Sequence, residues 1–357
     1  MHEAEAIVHL ANDAAEEGAD VVLCTVVRLI GSGYGRPGAK LLLTDEGHRA
    51  GFVSGGCLER ELARLAWPAT TDGPAVLTFD TRGTPLHPGG RYNAGCDGCL
   101  HILCERGHDS AGLAAVRSSL ADALTTAVVF DSGTTDLPVG TRQAAGDAGS
   151  LAGCFEDAGD TACTIELDGG LLAFRETQRP PSELLLFGAG DDAVSLAAIA
   201  THVGRRVTVL DASPERLTAA RFPSVRRVVG TTDEQLAAIE PRSSTAAVLM
   251  THSFPADLVL LPALLASRCG YVGLLGPKRR LARLMEALRH EGRFPSPASC
   301  ERLHAPIGLD LGAVTPGEIA IAILAEIIAD QRCRDGAPLA RRPGPIHDAT
   351  PHRKVAT

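Results

Sequence analysis

The chain is 357 residues long, 45% of its residues are hydrophobic, and its formal net charge is -9. This length is enough for two or three domains of ordinary size, each with a buried core. The chain has three tyrosines, one tryptophan and no run rich in lysine and arginine. It therefore lacks the positive patch and the stacking side chains of nucleic-acid-binding proteins, and we expect no nucleic acid partner.

The sequence also argues against a membrane location. Polar residues interrupt every apolar stretch before it reaches the roughly 18 residues of a membrane span, and the acidic start MHEAEAIVHLANDAAEEG lacks the basic and apolar regions of a signal peptide. We expect a cytoplasmic protein with no membrane partner. Its ten cysteines should then be reduced, and most of them, such as Cys24 in VVLCTVV, should be small core residues.

Residues 1–176 are predicted to form an α+β domain. An amphipathic helical pattern covers residues 1–18, and the β-branched residues of DVVLCTVVRLI then indicate a buried strand. AKLLLT and RAGFVS flank turn residues 45–47, which is the pattern of a hairpin. Further strands are expected in AVLTFD and in the second half of GCDGCLHILCE, with a loop rich in glycine and proline between them.

The motif SGGCLE follows this hairpin at residues 54–59. LERELARLA has helical spacing, so we predict Ser54 as the helix N-cap and Cys57 in the first turn. The positive end of the helix dipole would lower the pKa of a thiol there, and Gly55 and Gly56 would leave space for a large ligand. Cys57 is therefore either a reactive or ligand-binding thiol or a packed residue at a helix start.

Cys96 and Cys99 form a CxxC pair, with Gly95 and Gly98 interleaved. This spacing fits a redox pair, half of a zinc site or a sulfur-handling site. The glycines favour a loop and hence an exposed thiol over a core residue. No second CxxC and no histidine-rich segment is present, which argues against a closed structural zinc site.

The pattern of the chain changes after residues 177–183, TQRPPSE, which we predict to be a linker because consecutive prolines exclude a helix interior and a central strand. Short apolar runs such as ELLLFGAG, RRVTVLD and TAAVLMTH then alternate with helical patterns. This alternation predicts a parallel sheet in a Rossmann-like domain over residues 184–333. A capping box at residues 315–318 begins the final helix, and the polar residues 334–357 are predicted to be disordered.

The predicted Rossmann-like domain contains a fingerprint of dinucleotide binding. Gly188, Gly190 and Ala193 form a GxGxxA turn between a strand and a helix, and Asp211 ends the next strand. This context favours nucleotide or pyrophosphate binding. The two aspartates at 191–192 oppose it, because they place negative charge where the anion would bind unless they turn outward or a cation bridges them.

Other polar residues follow later strands of the same domain. Thr251 and His252 come at the carboxyl end of a strand, where open α/β sheets bind ligands. His252 is either a site residue or a loop-anchoring side chain, and with Asp257 it is the candidate acid–base pair for an oxidoreductase. Basic residues 278–280 begin a helix and form either a solvated face or an anion clamp.

Six motifs occur in one order across residues 25–330: GSGYGRPGAKLLLTDEGHRAGFVSGGCLE, GCDGC, LLFGAGDDA, VLMTHSFPAD, YVGLLG and HAPIGLDLGAVTPGEIAIAILAEIIA. Together they resemble the XdhC/CoxI family, the accessory proteins that mature xanthine dehydrogenase-type molybdenum enzymes. The resemblance implies an α/β protein with an N-terminal XdhC/CoxI-type domain and a Rossmann-like domain. It implies a chaperone rather than an enzyme, one that binds molybdenum cofactor (molybdopterin), keeps it while a cysteine desulfurase provides the terminal sulfido ligand, and passes it to an apo molybdenum hydroxylase.

The resemblance also implies roles for individual residues. Gly55, Gly56, Cys57 and Cys96 match motif positions expected to bind the cofactor, and the two cysteines are candidate sulfur-relay thiols. A carrier of a pterin with a dithiolene and a phosphate needs close backbone approach, soft sulfur ligands and an anion site. The family's GCGG is GCDGC here, so no role is implied for Cys99. A homodimer is expected on the resemblance alone.

The Rossmann-like loop departs from the family pattern, since GAGDDA stands where many members have GAGHVA. The resemblance therefore does not identify a nucleotide for this domain. An NAD(P)-dependent oxidoreductase stays open as the alternative function, and a zinc or redox-sensing module that uses Cys96 and Cys99 stays open as a third.

Overall fold

A computed structural model describes residues 2–31, 35–56, 58–82, 98–156, 162–343 and 351–355. The chain divides into two compact units. The N-terminal unit contains Glu3–Pro180 and Pro343–Thr357, and the Rossmann unit contains Pro181–Arg342 with the first two residues. Within the described ranges, no helix combines the length and the hydropathy that a bilayer crossing requires.

The N-terminal unit begins with a helix and an antiparallel sheet. Its elements are α1 Glu3–Glu17, β1 Val21–Gly31, β2 Lys40–Thr44, β3 Arg49–Gly51, α2 Glu59–Ala69, β4 Ala75–Asp80, β5 Gly98–Arg106 and α3 Ala111–Ser119. In the part of the chain that is described, the strand order is β3-β2-β1-β5-β4, and neighbours are antiparallel. The predicted first helix, buried strand and hairpin are confirmed, and Gly47 takes φ 91° in the hairpin turn.

A second sheet completes the N-terminal unit. Its strands are β6 Leu124–Asp131, β7 Arg142–Ala144, β8 Cys163–Glu166, β9 Leu172–Gln178 and, from the end of the chain, the strand His352–Lys354. The last strand pairs parallel with β8, and Lys354 Nζ lies 2.6 Å from Glu166 Oε1. The prediction of disorder is wrong for these three residues, because the edge of β8 supplies backbone hydrogen-bond partners that the polar tail lacks by itself.

The two sheets of this unit are joined by buried charges and apolar side chains. Lys40 Nζ on β2 lies 2.7 Å from Glu176 Oε2 on β9, and Arg142 Nη2 lies 2.9 Å from Glu105 Oε2. A cluster of buried apolar side chains lies with them: Val27, Leu103, Val128, Phe130 and Phe174. Buried charges of this kind are tolerated because each is paired and hydrogen-bonded.

The Rossmann unit alternates strands with helices, as predicted. Its elements are β10 Glu183–Phe187, α4 Asp191–His202, β11 Arg206–Asp211, β12 Arg226–Val229, α5 Thr232–Ala237, β13 Ala246–Leu249, α6 Phe254–Ala266, β14 Tyr271–Leu274, α7 Lys278–His290, α8 Pro297–Cys300, β15 Leu303–His304 and α9 Pro316–Gln331. For the described residues the order is β12-β11-β10-β13-β14-β15 with parallel neighbours. The strand order reverses between β10 and β13, so the ligand crevice of such a sheet lies at their carboxyl ends.

Helices α4 and α9 cover one face of this sheet. Ala193, Leu196 and Ala200 of α4 pack in one buried cluster with Ile323 and Ile327 of α9. The capping box predicted for α9 is present, since Thr315 Oγ1 accepts from the Glu318 amide and the Glu318 carboxylate accepts from the Thr315 amide. Helix α4 follows β10 directly, so its N-terminus lies at the carboxyl edge of the sheet, beside the crevice. Ile319 in the first turn of α9 lines a cleft with Leu275, the residue after β14, so α9 also begins at this edge.

Candidate functional site

The SGGCLE motif forms an exposed tip on a buried base. Ser54 and Glu59 are 6% and 4% exposed, whereas Gly55 and Gly56 are exposed. Gly56 has φ 103°, and a Cβ there would meet nothing within 4 Å. The positive φ of Gly56 thus favours glycine in this turn, and the open space beside it fits the predicted access for a large ligand.

The first and last side chains of the motif hold its base together. The Glu59 carboxylate accepts from the Ser54 amide at 2.8 Å, from the Val53 amide at 3.3 Å and from the Ser54 hydroxyl. The Ser54 hydroxyl oxygen in turn accepts from the Leu58 amide at 3.0 Å. Burial raises the pKa of Glu59, but the hydrogen bonds from Ser54 and Val53 outweigh burial and hold the pKa below its ordinary value.

The helix after this tip begins later than predicted. Helix α2 starts at Glu59, and its N-cap position, Leu58, makes no side-chain capping bond. Ser54 is therefore not the N-cap, because its hydroxyl is used within the motif. Cys57 lies outside the described residues, and the prediction that placed it in the first helical turn rested on the earlier helix start.

The CxxC pair is only partly described. Cys96 lies outside the described residues, whereas Cys99 is in β5, opposite Asp80 of β4 and Ile30 of β1. The prediction that Cys99 is exposed is wrong: the residue is 7% exposed, because a neighbouring strand flanks it on each side. Burial, and then the nearby Asp80 carboxylate, raise the pKa of the Cys99 thiol, so it is a poor source of thiolate.

The glycine-rich loop of the Rossmann unit has the backbone that its motif predicts. Gly188 has φ 111°, and a Cβ there would lie 2.5 Å from the Met250 carbonyl oxygen. The Ala189 amide donates to Asp211 Oδ2 at 2.6 Å, and the Ser213 amide donates to Asp211 Oδ1 at 2.8 Å. Asp211 Oδ2 therefore braces the glycine-rich loop, while Oδ1 holds the turn that follows β11. Ala193 is fully buried in the helix that follows the loop.

Arg221 pairs with Asp191, one of the two aspartates that would repel an anion at this loop. Arg221 donates to the Ala189 carbonyl oxygen at 2.9 Å and to Asp191 Oδ1 at 2.7 Å. The Asp191 side chain is 93% exposed, so it turns outward and is also bridged by a cation. Arg221 thus offsets the repulsion that Asp191 would exert on an anion at the start of α4.

His252 lies over the same loop at the reversal of strand order. A Cβ added to Gly190 would lie 3.5 Å from His252 Nε2, so the imidazole covers the half-buried Gly190. His252 is itself exposed and has φ 55°, a left-handed conformation that is uncommon for residues other than glycine. The imidazole is therefore a polar group of the crevice that faces solvent.

The acid–base pair proposed from sequence does not form. Asp257 is 1% exposed and accepts from Thr251 Oγ1 at 2.6 Å and from Arg280 Nη2 at 2.6 Å. His252 is not among its partners in the described contacts. Arg280 is thereby a structural cation rather than part of an anion clamp, and Lys278 and Arg279 remain exposed.

Sequence reasoning missed two of the residues that organise these loops. Glu59 carries a signal in hindsight, since it ends a motif that begins with a hydroxyl residue. Arg221 carries none, because it lies 30 residues from Asp191. For the residues with described side chains, no three histidine, cysteine or carboxylate groups converge to hold a metal ion.

Comparisons with known proteins match both units. The family model described as the XdhC Rossmann domain matches residues 184–327, and the model of the XdhC and CoxI family matches residues 14–80. The chain is 30% identical over 325 residues to a probable xanthine dehydrogenase subunit of Bacillus subtilis, which covers 89% of this chain and 95% of that protein. It is 26% identical over 322 residues to the molybdenum cofactor insertion chaperone PaoD of Escherichia coli, covering 90% of this chain and 86% of PaoD.

A solved structure shares the fold. A crystal structure described as a xanthine dehydrogenase from Bacillus halodurans superposes with a TM-score of 0.72 at 24% identity, over 95% of this chain and 98% of that one. The order of elements in both units is thus that of a known architecture. The family models and the relative that is 30% identical establish that the chain belongs to the XdhC and CoxI family.

Proposed function

We propose that this protein is an accessory protein that binds molybdenum cofactor, supports its sulfuration and inserts it into a xanthine dehydrogenase-type molybdenum hydroxylase. The observation that carries the proposal is the match along nine-tenths of the chain to a relative named as a molybdenum cofactor insertion chaperone. The match includes both units, so the proposal concerns the whole chain and not a shared nucleotide-binding module.

The tip of the SGGCLE motif suits such a cargo. Gly55 and Gly56 expose backbone without side chains, and the Ser54–Glu59 base holds them in place. In the proposal, the thiols of Cys57 and Cys96 bind the cofactor or relay sulfur to it, because soft thiolates suit molybdenum and persulfide chemistry. The sulfur donor would be a cysteine desulfurase, and a homodimer is part of the proposal.

The glycine-rich loop is the proposed anion site. His252 is its exposed group, and it lies over the half-buried Gly190. Gly188, Ala193 and Asp211 hold the shape of the loop through buried or backbone contacts. A phosphate group or a nucleotide would bind there. The alternative function, an NAD(P)-dependent oxidoreductase, has lost its acid–base pair, since Asp257 is engaged by Arg280 and Thr251.

Transfer to a recipient enzyme tests the proposal. The purified chain is loaded with desulfo molybdenum cofactor, freed of excess cofactor by gel filtration, and mixed with an apo molybdenum hydroxylase. We expect hydroxylase activity to appear when a cysteine desulfurase and cysteine are present, and to stay near background without them. Equal activation by free cofactor at the same concentration would contradict the insertion role, and equal activation without desulfurase would contradict the sulfuration role.

A further inference from the structure

A cleft opens beside the start of α9, on the carboxyl edge of the Rossmann sheet. Its volume is about 280 Å³. It lies between the residue that follows β14, Leu275, and the loop 307–313, with the first turn of α9 as its floor. This loop belongs to the GLDLGA part of the last motif. The roles proposed for the SGGCLE motif at residues 54–59 (the thiol tip) and for the glycine-rich loop do not involve it. Small-molecule sites are expected at this edge of an open α/β sheet.

The walls of the cleft are apolar and contain one carboxylate. Aliphatic side chains supply most of the lining: Leu275, Ile307, Leu309, Leu311 and Ile319. Gly312, Ala313 and Ala322 leave the space between them open. Asp310 is the ionisable side chain of the lining, and it is exposed at the mouth. Such walls suit the faces of a flat ring, and the carboxylate suits an edge with N–H donors.

Hydrogen bonds hold the first part of the loop, residues 307–309, in place. The Ile307 amide donates to the Leu274 carbonyl oxygen at 3.2 Å, and the Leu309 amide donates to the Ala322 carbonyl oxygen at 3.1 Å. The Gly308 amide donates to Glu326 Oε2 of α9 at 2.7 Å. The loop is thus fastened to both β14 and α9, which is the preorganisation that small-ligand sites use.

The charges of the cleft disfavour an anion. Asp310 is negative, and the Glu318 carboxylate already accepts from the amides of Val314 and Thr315, both at 2.9 Å. These two amides are therefore not available to a phosphate, and the Glu318 carboxylate adds a second negative charge at this helix start. The ligand must instead present hydrogen-bond donors to Asp310 and an apolar surface to the rest.

We propose that this cleft binds the pterin ring of the cofactor, with Asp310 accepting from its 2-amino and N3–H donors. These two donors lie side by side on one edge of the ring, like those of a guanidinium, and a carboxylate can accept both at once. A volume of about 280 Å³ is at the lower end for ligand sites, so it suits a fused bicyclic ring better than a whole dinucleotide. The inference rests on the proposed function.

Free ring compounds test this assignment with the full-length protein. The probes are 6-hydroxymethylpterin and the matching lumazine, in which an oxo group replaces the 2-amino group. Binding of each is measured by equilibrium dialysis with fluorescence detection. We expect the wild type to prefer the pterin, because the 2-oxo group of the lumazine would place an acceptor against the Asp310 carboxylate.

Variants of the cleft make the test specific. Asp310→Asn should weaken pterin binding roughly tenfold to a hundredfold, the usual effect of losing a charged, paired hydrogen bond, and should remove the preference over lumazine. Asp310→Glu should keep part of that preference, and Ala313→Phe should abolish binding of both rings by filling the cleft. Asp233→Asn, an exposed aspartate on α5, should match the wild type, and circular dichroism checks that each variant is folded.

The outcomes separate this inference from the proposed function. If whole molybdenum cofactor co-elutes with the chain but the free pterin does not bind, binds no better than lumazine, or binds Asp310→Asn equally well, the cleft assignment is overturned and the chaperone proposal stands. If pterin binds as expected but whole cofactor does not co-elute, the chaperone proposal falls while the cleft keeps its ligand. Failure of both overturns both.

Discussion

The thiol tip and the glycine-rich loop use the same device with different results. In each, a buried carboxylate accepts backbone N–H groups beside a pair of glycines: Glu59 in the SGGCLE motif and Asp211 in the Rossmann unit. In the thiol tip, Gly55 and Gly56 stay exposed. In the glycine-rich loop, Gly190 lies under His252, and Arg221 donates to the Ala189 carbonyl oxygen and to Asp191. A glycine motif therefore specifies backbone shape, and the ligand depends on which polar groups stay available.

The largest expected effect comes from removing the Glu59 carboxylate, which holds the thiol tip in place. Glu59→Ala takes away a buried acceptor of hydrogen bonds from Val53 and Ser54, which should lower the free energy of unfolding by about 2–3 kcal/mol. The chain has one tryptophan, Trp67, and it lies on α2, so tryptophan fluorescence during urea unfolding reports on this region. Glu61→Ala, in the same helix but with an exposed salt bridge, should change stability by less than about 0.5 kcal/mol. An equal decrease in the free energy of unfolding for both variants would show that the hydrogen bonds of Glu59 add no more stability than an exposed salt bridge.

A smaller effect is expected from the equivalent carboxylate of the glycine-rich loop. Asp211→Asn keeps the shape of the side chain but turns an N–H donor toward the amide of Ala189 or Ser213. Amide exchange at Ala189 should accelerate roughly tenfold, because one hydrogen bond of about 1.4 kcal/mol is lost. Hydrogen exchange of the segment 184–196 measures it, with Asp192→Asn as the control. Unchanged exchange at Ala189 would mean that Asp211 does not brace this loop.

The pH dependence of the free energy of unfolding should distinguish Glu59, in the thiol tip, from Glu61 of the same helix. The pKa of Glu59 is lowered in the folded state from an ordinary value of 4.5, so its contribution is fully present above that value and is lost as pH falls through the lower folded-state pKa. The stability difference between wild type and Glu59→Gln should therefore be constant between about pH 7 and pH 5 and shrink below about pH 4.5. Glu61→Gln serves as the comparison. A difference that grows on acidification would contradict the lowered pKa.

The smallest effect is expected at Cys99. Its thiol is buried and its pKa is raised, so Cys99→Ser should leave cofactor retention near that of the wild type, and the thiol should react slowly with a thiol reagent at mild pH. Cys333 is exposed and should react fast in the same assay. A loss of cofactor as large as that caused by Cys57→Ser would give Cys99 a direct role.

Most of the Rossmann unit could be predicted because its signals are local. The strand–helix alternation and the capping box at Thr315 and Glu318 follow from hydrophobic spacing and from residues three apart. The predicted start of α2 is wrong. Serine is a favourable N-cap residue, but the Ser54 hydroxyl donates to Glu59 and accepts from the Leu58 amide inside the motif. Local preference was overridden by a contact that spans the whole motif.

The missed features depend on residues that are distant in sequence. Sequence proximity suggests His252 as the partner of Asp257, but the charged partner of Asp257 is Arg280, 23 residues further on. The glycines around Cys99 predict an exposed loop, but β1 and β4 flank Cys99 in the sheet. The cleft at loop 307–313 needs β14 and α9 to close it. No periodicity in one segment contains such information.

Cofactor retention tests the central claim most directly. The wild type, Cys57→Ser and Cys333→Ser, an exposed cysteine outside the motif, are each incubated with molybdenum cofactor and separated by gel filtration, and molybdenum and pterin are quantified in the protein peak. We predict near-stoichiometric cofactor with the wild type and Cys333→Ser, and loss of cofactor with Cys57→Ser while the fold is retained. Cofactor retention by Cys57→Ser equal to that of the wild type would contradict the role of the thiol tip, and no retention by any of the three would contradict the chaperone function itself.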